Sequence, residues 1–187
     1  SQYKCMDKKT QIIEIATKLF SENGFENTSI SRVCEASNVS KGLVFHHFKS
    51  KDGLLREIFS VTTKKIIEMN ESINDEQKPM DRLYDLINSF FIQIKSDKLF
   101  FQLNLNVMTQ PKTRELLNDL IKERSTFILT SVKQIFNQIN TENAEIISYL
   151  FIAELDGIAL NYLGIFDNYP LEQIKEQLIK KYIKNGI

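Results

Sequence analysis

The chain has 187 residues, of which 42% are hydrophobic and 26% are charged, and its 24 basic residues balance its 24 acidic ones. This composition predicts a globular protein long enough to bury a core, and it excludes a disordered chain and a globally basic nucleic-acid binder. If the protein binds a polyanion, it must do so through a local patch of charge.

The N-terminal part of the chain has the apolar spacing of three short helices. Apolar residues at positions 12, 16 and 20 share one face of the first helix, and the Asn23-Gly24 pair is a typical helix end. Thr28 or Ser29 can cap the second helix and Ser40 the third, with a break at Ser37-Asn38 between them. Such short helices are not stable alone, so we expect them to pack together.

Longer helices are predicted further along the chain. Ser50 can cap a fourth helix, which keeps one apolar face from Leu55 to Ile73. A polar segment, residues 74–79, then separates this helix from one that carries apolar residues from Leu83 to Ile94.

The second half of the chain continues the helical pattern. Asp97 can cap a helix that runs to about Met108, and Pro111 can open a long one that reaches Ile135. Thr141 or Asn143 starts the next helix, and residues 171–182 form the last. With no internal repeat and no convincing strand, the sequence predicts an all-α fold of about nine helices.

The stretch Asn38–Lys51, NVSKGLVFHHFKSK, holds both of the chain's histidines, three lysines and no acidic residue. A helix of about eight residues, a turn of about four and a second short helix have the spacing of a helix-turn-helix motif. Ser40, Lys41 and Gly42 put little bulk at the start of the third helix, which suits a helix that enters the major groove of DNA. Lys41 can donate a hydrogen bond to a guanine edge or to a phosphate.

Further cations follow beside the N-terminus of the fourth helix, whose free N–H groups also favour a phosphate. They are His46, His47, Lys49 and Lys51. The alternative is an ordinary solvated turn. A metal site at the histidine pair is disfavoured, because adjacent helical residues point about 100° apart and no third ligand lies at a suitable spacing.

The segments ATKLFSENGFENTSI and NVSKGLVFHHFKSKDGL closely resemble the N-terminal domain of the TetR family of transcriptional regulators. The shared pattern comprises an Ala-x-x-Leu-Phe run, a Gly-Phe pair, Thr-Ser before the second helix, Val-Ser-Lys-Gly before the third, and an aromatic-His-Phe-Lys run. By motif it covers roughly residues 7–67; the remainder is similar to the family only in helical layout. The resemblance implies an N-terminal three-helix helix-turn-helix DNA-binding domain, residues 7–53, which a fourth helix joins to a C-terminal helical bundle, residues 54–187, for ligand binding and dimerisation.

The resemblance also implies which residues contact DNA. Bases are read from the starts of the second and third helices, around the capping Ser40, by Ser29, Ser31, Lys41, Gly42 and Leu43. Phosphates are contacted by Thr28, Phe45, His46, His47 and Lys51. The family usually has tyrosine where this chain has Phe45, and a phenyl ring has no hydroxyl to donate to a phosphate.

Two functions of the bundle are implied by the resemblance. The first is homodimerisation through the last two helices, by a surface consisting of Leu160, Leu163, Gly164, Ile174, Leu178 and Tyr182. Ordinary packing within one chain is the alternative for these residues. The second function is binding of a largely apolar small-molecule effector.

The candidate effector pocket combines polar residues that interrupt apolar faces with nearby aromatic and apolar residues. It consists of Phe90, Asn104, Met108, Arg124, Phe127, Tyr149 and Glu154. A buried guanidinium or carboxylate needs a partner, which can be a ligand. Arg124 and Glu154 can instead pair with each other, and the aromatic residues can simply belong to the core.

Nothing in the sequence predicts catalysis, a metal or a cofactor, because it shows no phosphate loop and no nucleophile with an adjacent base. Cys5 and Cys34 are far apart, which favours free thiols in a reducing compartment. With no signal peptide and no apolar run of about 18 residues, we expect a cytoplasmic protein that does not contact membranes.

Together these features predict a DNA-binding regulator. It would bind a palindromic operator in double-stranded DNA as a dimer, act most often as a repressor, and be released by an effector. The alternative is a helical protein-interaction adaptor that has lost DNA binding.

Overall fold

The computed structural model describes residues 7–71, 77–139 and 142–184, and for residues 69–71 it describes the backbone alone. The described chain is entirely helical, which confirms the predicted fold class. Its ten α-helices are α1 Lys8–Asn23, α2 Ile30–Ser37, α3 Lys41–Phe48, α4 Lys51–Glu71, α5 Pro79–Ser96, α6 Lys98–Thr109, α7 Pro111–Leu116, α8 Asn118–Gln138, α9 Ala144–Leu160 and α10 Leu171–Ile179. Short π-helical segments, Asn161–Ile165 and Lys180–Lys184, continue α9 and α10.

The described residues form two compact units. The N-terminal unit comprises the chain up to Lys64 together with Gln102–Ile121, and the second unit comprises Lys65–Phe101 together with the chain from Lys122 onward. The N-terminal unit therefore includes Gln102–Ile121, which lie in the predicted second domain, residues 54–187. The functional boundary near residue 53 remains a prediction.

The N-terminal unit is built on one apolar core. Ile12, Ala16 and Phe20 of α1 are fully buried, as their spacing predicts, and pack in one cluster with Val33 of α2 and Val44 of α3. The chain leaves α1 through Gly24, whose φ of 81° is a conformation that glycine adopts without steric cost. Because of this packing, one face of α2 and of α3 contacts the core, and the other face of each helix is exposed to solvent.

The prediction of one long helix from Pro111 is wrong in one respect, because the structure has two helices there. Pro111 does open a helix, but α7 ends at Leu116, and Leu117 has φ −107° and ψ 9°. The Leu117 side chain is fully buried in the core of the N-terminal unit. The break therefore falls at a core residue, and apolar periodicity alone gives no sign of it.

The second unit has its own core, formed by α5, α8, α9 and α10 with the final π-helical segment. Its centre is aromatic: the ring centroids of Phe136 and Phe151 are 5.7 Å apart, and those of Phe151 and Tyr182 are 5.0 Å apart. Both pairs meet edge to face, the arrangement that aromatic quadrupoles favour. Ile73, predicted to end the apolar face of the fourth helix, and Thr141, one of two residues predicted to start the helix after Ile135, lie outside the described residues.

Within the described chain, the helical stretch Ala144–Ile165 is long and apolar enough to cross a membrane by length and composition. This is weak evidence for a membrane span, because an apolar helix of a soluble protein passes the same test. The predicted absence of membrane contact therefore stays a prediction.

Candidate functional site

The turn between α2 and α3 has the geometry of a helix-turn-helix motif. Ser29 Oγ accepts a hydrogen bond from the Arg32 N–H at 3.2 Å, and Ser40 Oγ accepts one from the Leu43 N–H at 3.1 Å. Both serines are therefore N-caps, and Ser29 rather than Thr28 caps α2. Asn38 reverses the chain between the two helices with a left-handed φ of 49°.

One face of the α2–α3 pair is exposed. The residues at the start of α3, Ser40, Lys41 and Gly42, are small or flexible, so the backbone of α3 can approach a flat surface closely. The exposed residues among those predicted to contact DNA are Ser29, Ser31, Ser40, Lys41, Gly42, Phe45 and His46, while Leu43 and His47 are half-buried. The ammonium of Lys41 lies 5.8 Å from the centroid of the Phe45 ring. This exposed face is called the α3 surface below.

Thr28 does not belong to the exposed face. Its side chain is fully buried, and its hydroxyl donates to the carbonyl oxygen of Gly24 at 2.9 Å. The hydroxyl that the resemblance assigns to phosphate contact thus has a partner within the unit.

Lys51 lies at the first turn of α4 and is held there by two contacts. Its ammonium lies 4.3 Å from the centroid of the Phe25 ring and donates to the Glu26 carbonyl oxygen at 3.3 Å. Partial burial lowers the pKa of Lys51. The Glu26 carboxylate in turn pairs with Lys112 at 2.9 Å, and this bond lowers the pKa of Glu26. Lys51 is therefore a positioned cation rather than a freely moving one.

Two further cations belong to this region. Arg32, on the first turn of α2, is exposed and was missed by the sequence analysis. The only signal for it in the sequence is a cation directly after Ser31. Lys49 is also exposed, ends α3 with a positive φ of 65°, and donates to the His46 carbonyl oxygen at 3.3 Å. The α3 surface therefore carries Arg32, Lys41 and Lys49 as exposed cations, which suits a polyanion.

The second unit contains an apolar cavity of about 210 Å³. Three phenylalanine rings line it, and the remaining lining residues come from α4, α5, α8 and α9. The full lining is Ile66, Leu86, Ser89, Phe90, Gln93, Phe100, Phe101, Ile128, Val132, Ile152, Leu155 and Asp156.

The residues predicted for an effector pocket are not all brought together. Phe90 lines the cavity, whereas Met108 and Tyr149 are exposed and Phe127 is half-buried away from it. Asn104 belongs to the N-terminal unit and is half-buried.

The two charged residues predicted for the pocket have other surroundings. Glu154 accepts a hydrogen bond from the Tyr182 hydroxyl at 2.6 Å and pairs with Lys181. Arg124 is buried, with its guanidinium 5.7 Å from the centroid of the Phe100 ring, and burial lowers its pKa to about 9. Neither residue lines the cavity.

The predicted dimer surface is divided by the structure. Leu160 and Gly164 are exposed, Leu163 and Ile174 are half-buried, but Leu178 and Tyr182 lie in the core of the second unit. Instead, α9 carries a second apolar stripe that faces solvent. It consists of Ile146, Tyr149, Leu150 and Leu160, each at least 44% exposed. These residues are called the α9 face below.

The N-terminal region is similar to a known protein family. Residues 12–58 match the profile of the bacterial regulatory proteins of the tetR family. The fatty acid metabolism regulator protein of Bacillus subtilis is 27% identical over 139 residues, which are 74% of this chain and 69% of that protein. A negative transcriptional regulator of the biofilm operon icaADBC from Staphylococcus epidermidis is 25% identical over 124 residues, 66% of this chain and 64% of that protein.

A similar structure covers nearly the whole chain. The transcriptional regulator FadR from Bacillus subtilis, solved in complex with stearoyl-CoA, has a TM-score of 0.78 and 20% identity. The match covers 95% of this chain and 98% of that one. At this identity the likeness is one of fold, and the two sequence alignments leave about a third of each relative unmatched.

Proposed function

We propose that the chain, whose N-terminal region matches the tetR family of bacterial regulatory proteins, is a ligand-responsive repressor that binds a palindromic operator as a homodimer. The observation that carries the proposal is the α3 surface. There Ser40 caps a helix whose start, Lys41-Gly42, is exposed, while Val44 and Phe48 on its other side are buried. A helix fixed in this way can lie in the major groove and present side chains to base edges.

In this proposal the contacts with DNA fall into two groups. Lys41, with the small residues beside it, reads bases. Arg32, Lys49 and His46 neutralise phosphates, which positions the helix but carries no sequence information. Lys51 contributes a fixed positive charge at the start of α4, where the helix dipole acts in the same direction.

Homodimerisation is supported by the α9 face. A contiguous apolar stripe on a soluble domain marks an interaction surface, and a two-fold dimer doubles the number of bases that are read. In such a cytoplasmic regulator the apolar helical stretch from Ala144 contacts a second copy of the chain rather than a membrane.

The cavity of the second unit is the proposed effector site. Its apolar lining suits a largely apolar molecule, in keeping with the stearoyl-CoA bound by the FadR of similar fold. Helix α4 carries Lys51 at its first turn and Ile66 at the cavity wall. An effector that displaces α4 would change the separation of the two recognition helices. They would then no longer fit half-sites about 34 Å apart.

A protein-interaction adaptor is the second candidate. Phe45, at 40% exposure, has no hydroxyl to donate to a phosphate, and the chain as a whole has no net charge. If DNA binding has been lost, the exposed aromatic ring and the α9 face would serve protein partners instead.

Selection of duplexes from random genomic fragments, followed by affinity measurements over a salt series, tests the proposal. We expect a palindromic site, and we expect Lys49→Ala to reduce the slope of log affinity against log salt by about one unit. Lys41→Ala should also relax the preference at one base position. Lys122→Ala, which removes an exposed lysine of α8, is the matched control. Binding that never exceeds the non-specific level and does not respond to salt would favour the adaptor.

A further inference from the structure

The lining of the cavity in the second unit carries charge of one sign only. Nine of its twelve lining residues are apolar, Ser89 and Gln93 are polar but neutral, and Asp156 is the only charged one. A ligand in this cavity therefore meets a single formal charge, and that charge is negative.

The Asp156 carboxylate lacks a counter-ion. Among the residues that the structure describes, no cation pairs with it and no hydrogen bond reaches it. Asp156 is exposed to solvent where it lines the cavity, and the surrounding protein raises the pKa of its carboxyl by desolvation. A cation bound in the cavity would therefore find at Asp156 the one formal counter-charge of the lining.

The aromatic lining favours the same charge. The Phe101 ring meets Phe90 edge to face at 5.8 Å and Phe100 at 5.2 Å, so the three rings form one group. The faces of such rings carry negative potential and attract cations. Phe100 already has the Arg124 guanidinium over it, but Arg124 does not line the cavity. Of the charged groups, only the carboxylate reaches the cavity surface.

From these features we propose that the cavity binds a lipophilic cation, a hydrophobic amine or quaternary ammonium, with Asp156 as its counter-ion and the Phe90 and Phe101 rings among the apolar residues that enclose the rest of the ligand. The inference takes the cavity to be the effector site of the proposed function. It distinguishes the proposed ligand from a free fatty acid, because a carboxylate ligand would meet the Asp156 carboxylate and no lining cation.

Three probes with the same alkyl chain test the inference by calorimetric titration below their micelle concentrations: decyltrimethylammonium, decanol and decanoate. We expect the cation to bind about tenfold more tightly than decanol, as one ion pair in a partly exposed site contributes. Asp156→Asn should remove this preference, and Asp156→Glu should keep it. Asp167→Asn, which neutralises an exposed carboxylate outside the cavity lining, should leave it unchanged.

The outcomes separate the inference from the proposed function. Tighter binding of decanoate than of the cation, or unchanged cation binding by a folded Asp156→Asn variant, would overturn the inference. The selected operator is then titrated with and without decyltrimethylammonium. If the cation binds through Asp156 but operator affinity does not change, the ligand class stands and the effector role of the cavity fails.

Discussion

Gly53 lies so close to Phe48 that a Cβ atom added to the glycine would be 2.0 Å from the Phe48 carbonyl oxygen. That oxygen also accepts the Ser50 N–H at 2.8 Å, in the turn where Lys49 has a positive φ. The Ser50 hydroxyl caps α4 by accepting the Gly53 N–H at 2.9 Å. The junction between α3 and α4 is thus tight because residue 53 has no side chain.

Gly53→Ala should strongly destabilise the N-terminal unit. The clash involves backbone on both sides and cannot be relieved by a rotamer change, so we expect a loss of roughly 3 kcal/mol in the free energy of unfolding. Urea denaturation followed by circular dichroism measures it. Gly42→Ala is the control, because its added Cβ would meet only Ser40 Oγ at 3.9 Å. A Gly53→Ala variant as stable as Gly42→Ala would show that the junction is not tight.

Arg56 and Asp119 form a two-pronged ion pair within the N-terminal unit, with N–O distances of 2.9 and 2.6 Å. The bond from Arg56 lowers the pKa of Asp119 from 3.8 to about 2. Because the folded-state pKa is depressed, the stability that this pair contributes is present above about pH 4. It is lost as the pH falls towards 2.

Arg56→Gln should return the pKa of Asp119 towards 3.8, because it removes the charged donor. A carboxyl-carbon NMR titration of the wild type and the variant measures this shift. The Glu172 carboxylate, which pairs with Lys95 in the second unit, provides the internal reference. An Asp119 that titrates alike in both proteins would mean that the pair does not form in solution.

Phe45→Tyr should strengthen DNA binding under the proposed function. The ring is 40% exposed on the α3 surface, and the added hydroxyl can donate to a phosphate, a charged acceptor. We expect operator and non-specific affinity to rise together, by about tenfold, because phosphate contacts carry no sequence information. Phe166→Tyr, at another exposed phenylalanine in the second unit, should have no effect. A gain confined to one sequence would contradict a phosphate contact at position 45.

What the sequence predicted well depends on neighbours within a few residues. Ser29, Ser40 and Ser50 are N-caps in the structure, since each hydroxyl needs only an N–H three residues later. The lengths of α2, the turn and α3 are also local features, so the helix-turn-helix motif can be predicted from the sequence. The contacts of Lys51 with Phe25 and Glu26 could not be read in this way, because the partners are about 25 residues away.

Which side of a helix faces the core was harder to predict than the helix itself. Helix α9 is apolar on two sides: Phe151 and Ile158 are buried in the core, whereas Leu150 and Leu160 face solvent. Periodicity identifies such a helix but does not say which stripe meets the core. The assignment of Leu178 and Tyr182 to an outer surface, where the structure places both in the core, has the same origin.

Leu160→Glu tests the proposed dimer at the α9 face. We expect the wild type to be a dimer by light scattering after gel filtration. The variant should be a folded monomer, because a carboxylate buried between two copies lacks a partner. Operator affinity should fall when dimerisation is lost, since a monomer reads only one half-site. Ile92→Glu introduces the same charge at a 64% exposed residue of another helix, α5, and should leave the dimer intact. If both variants remain dimeric, the copies meet through another surface, and the α9 face must serve a different partner.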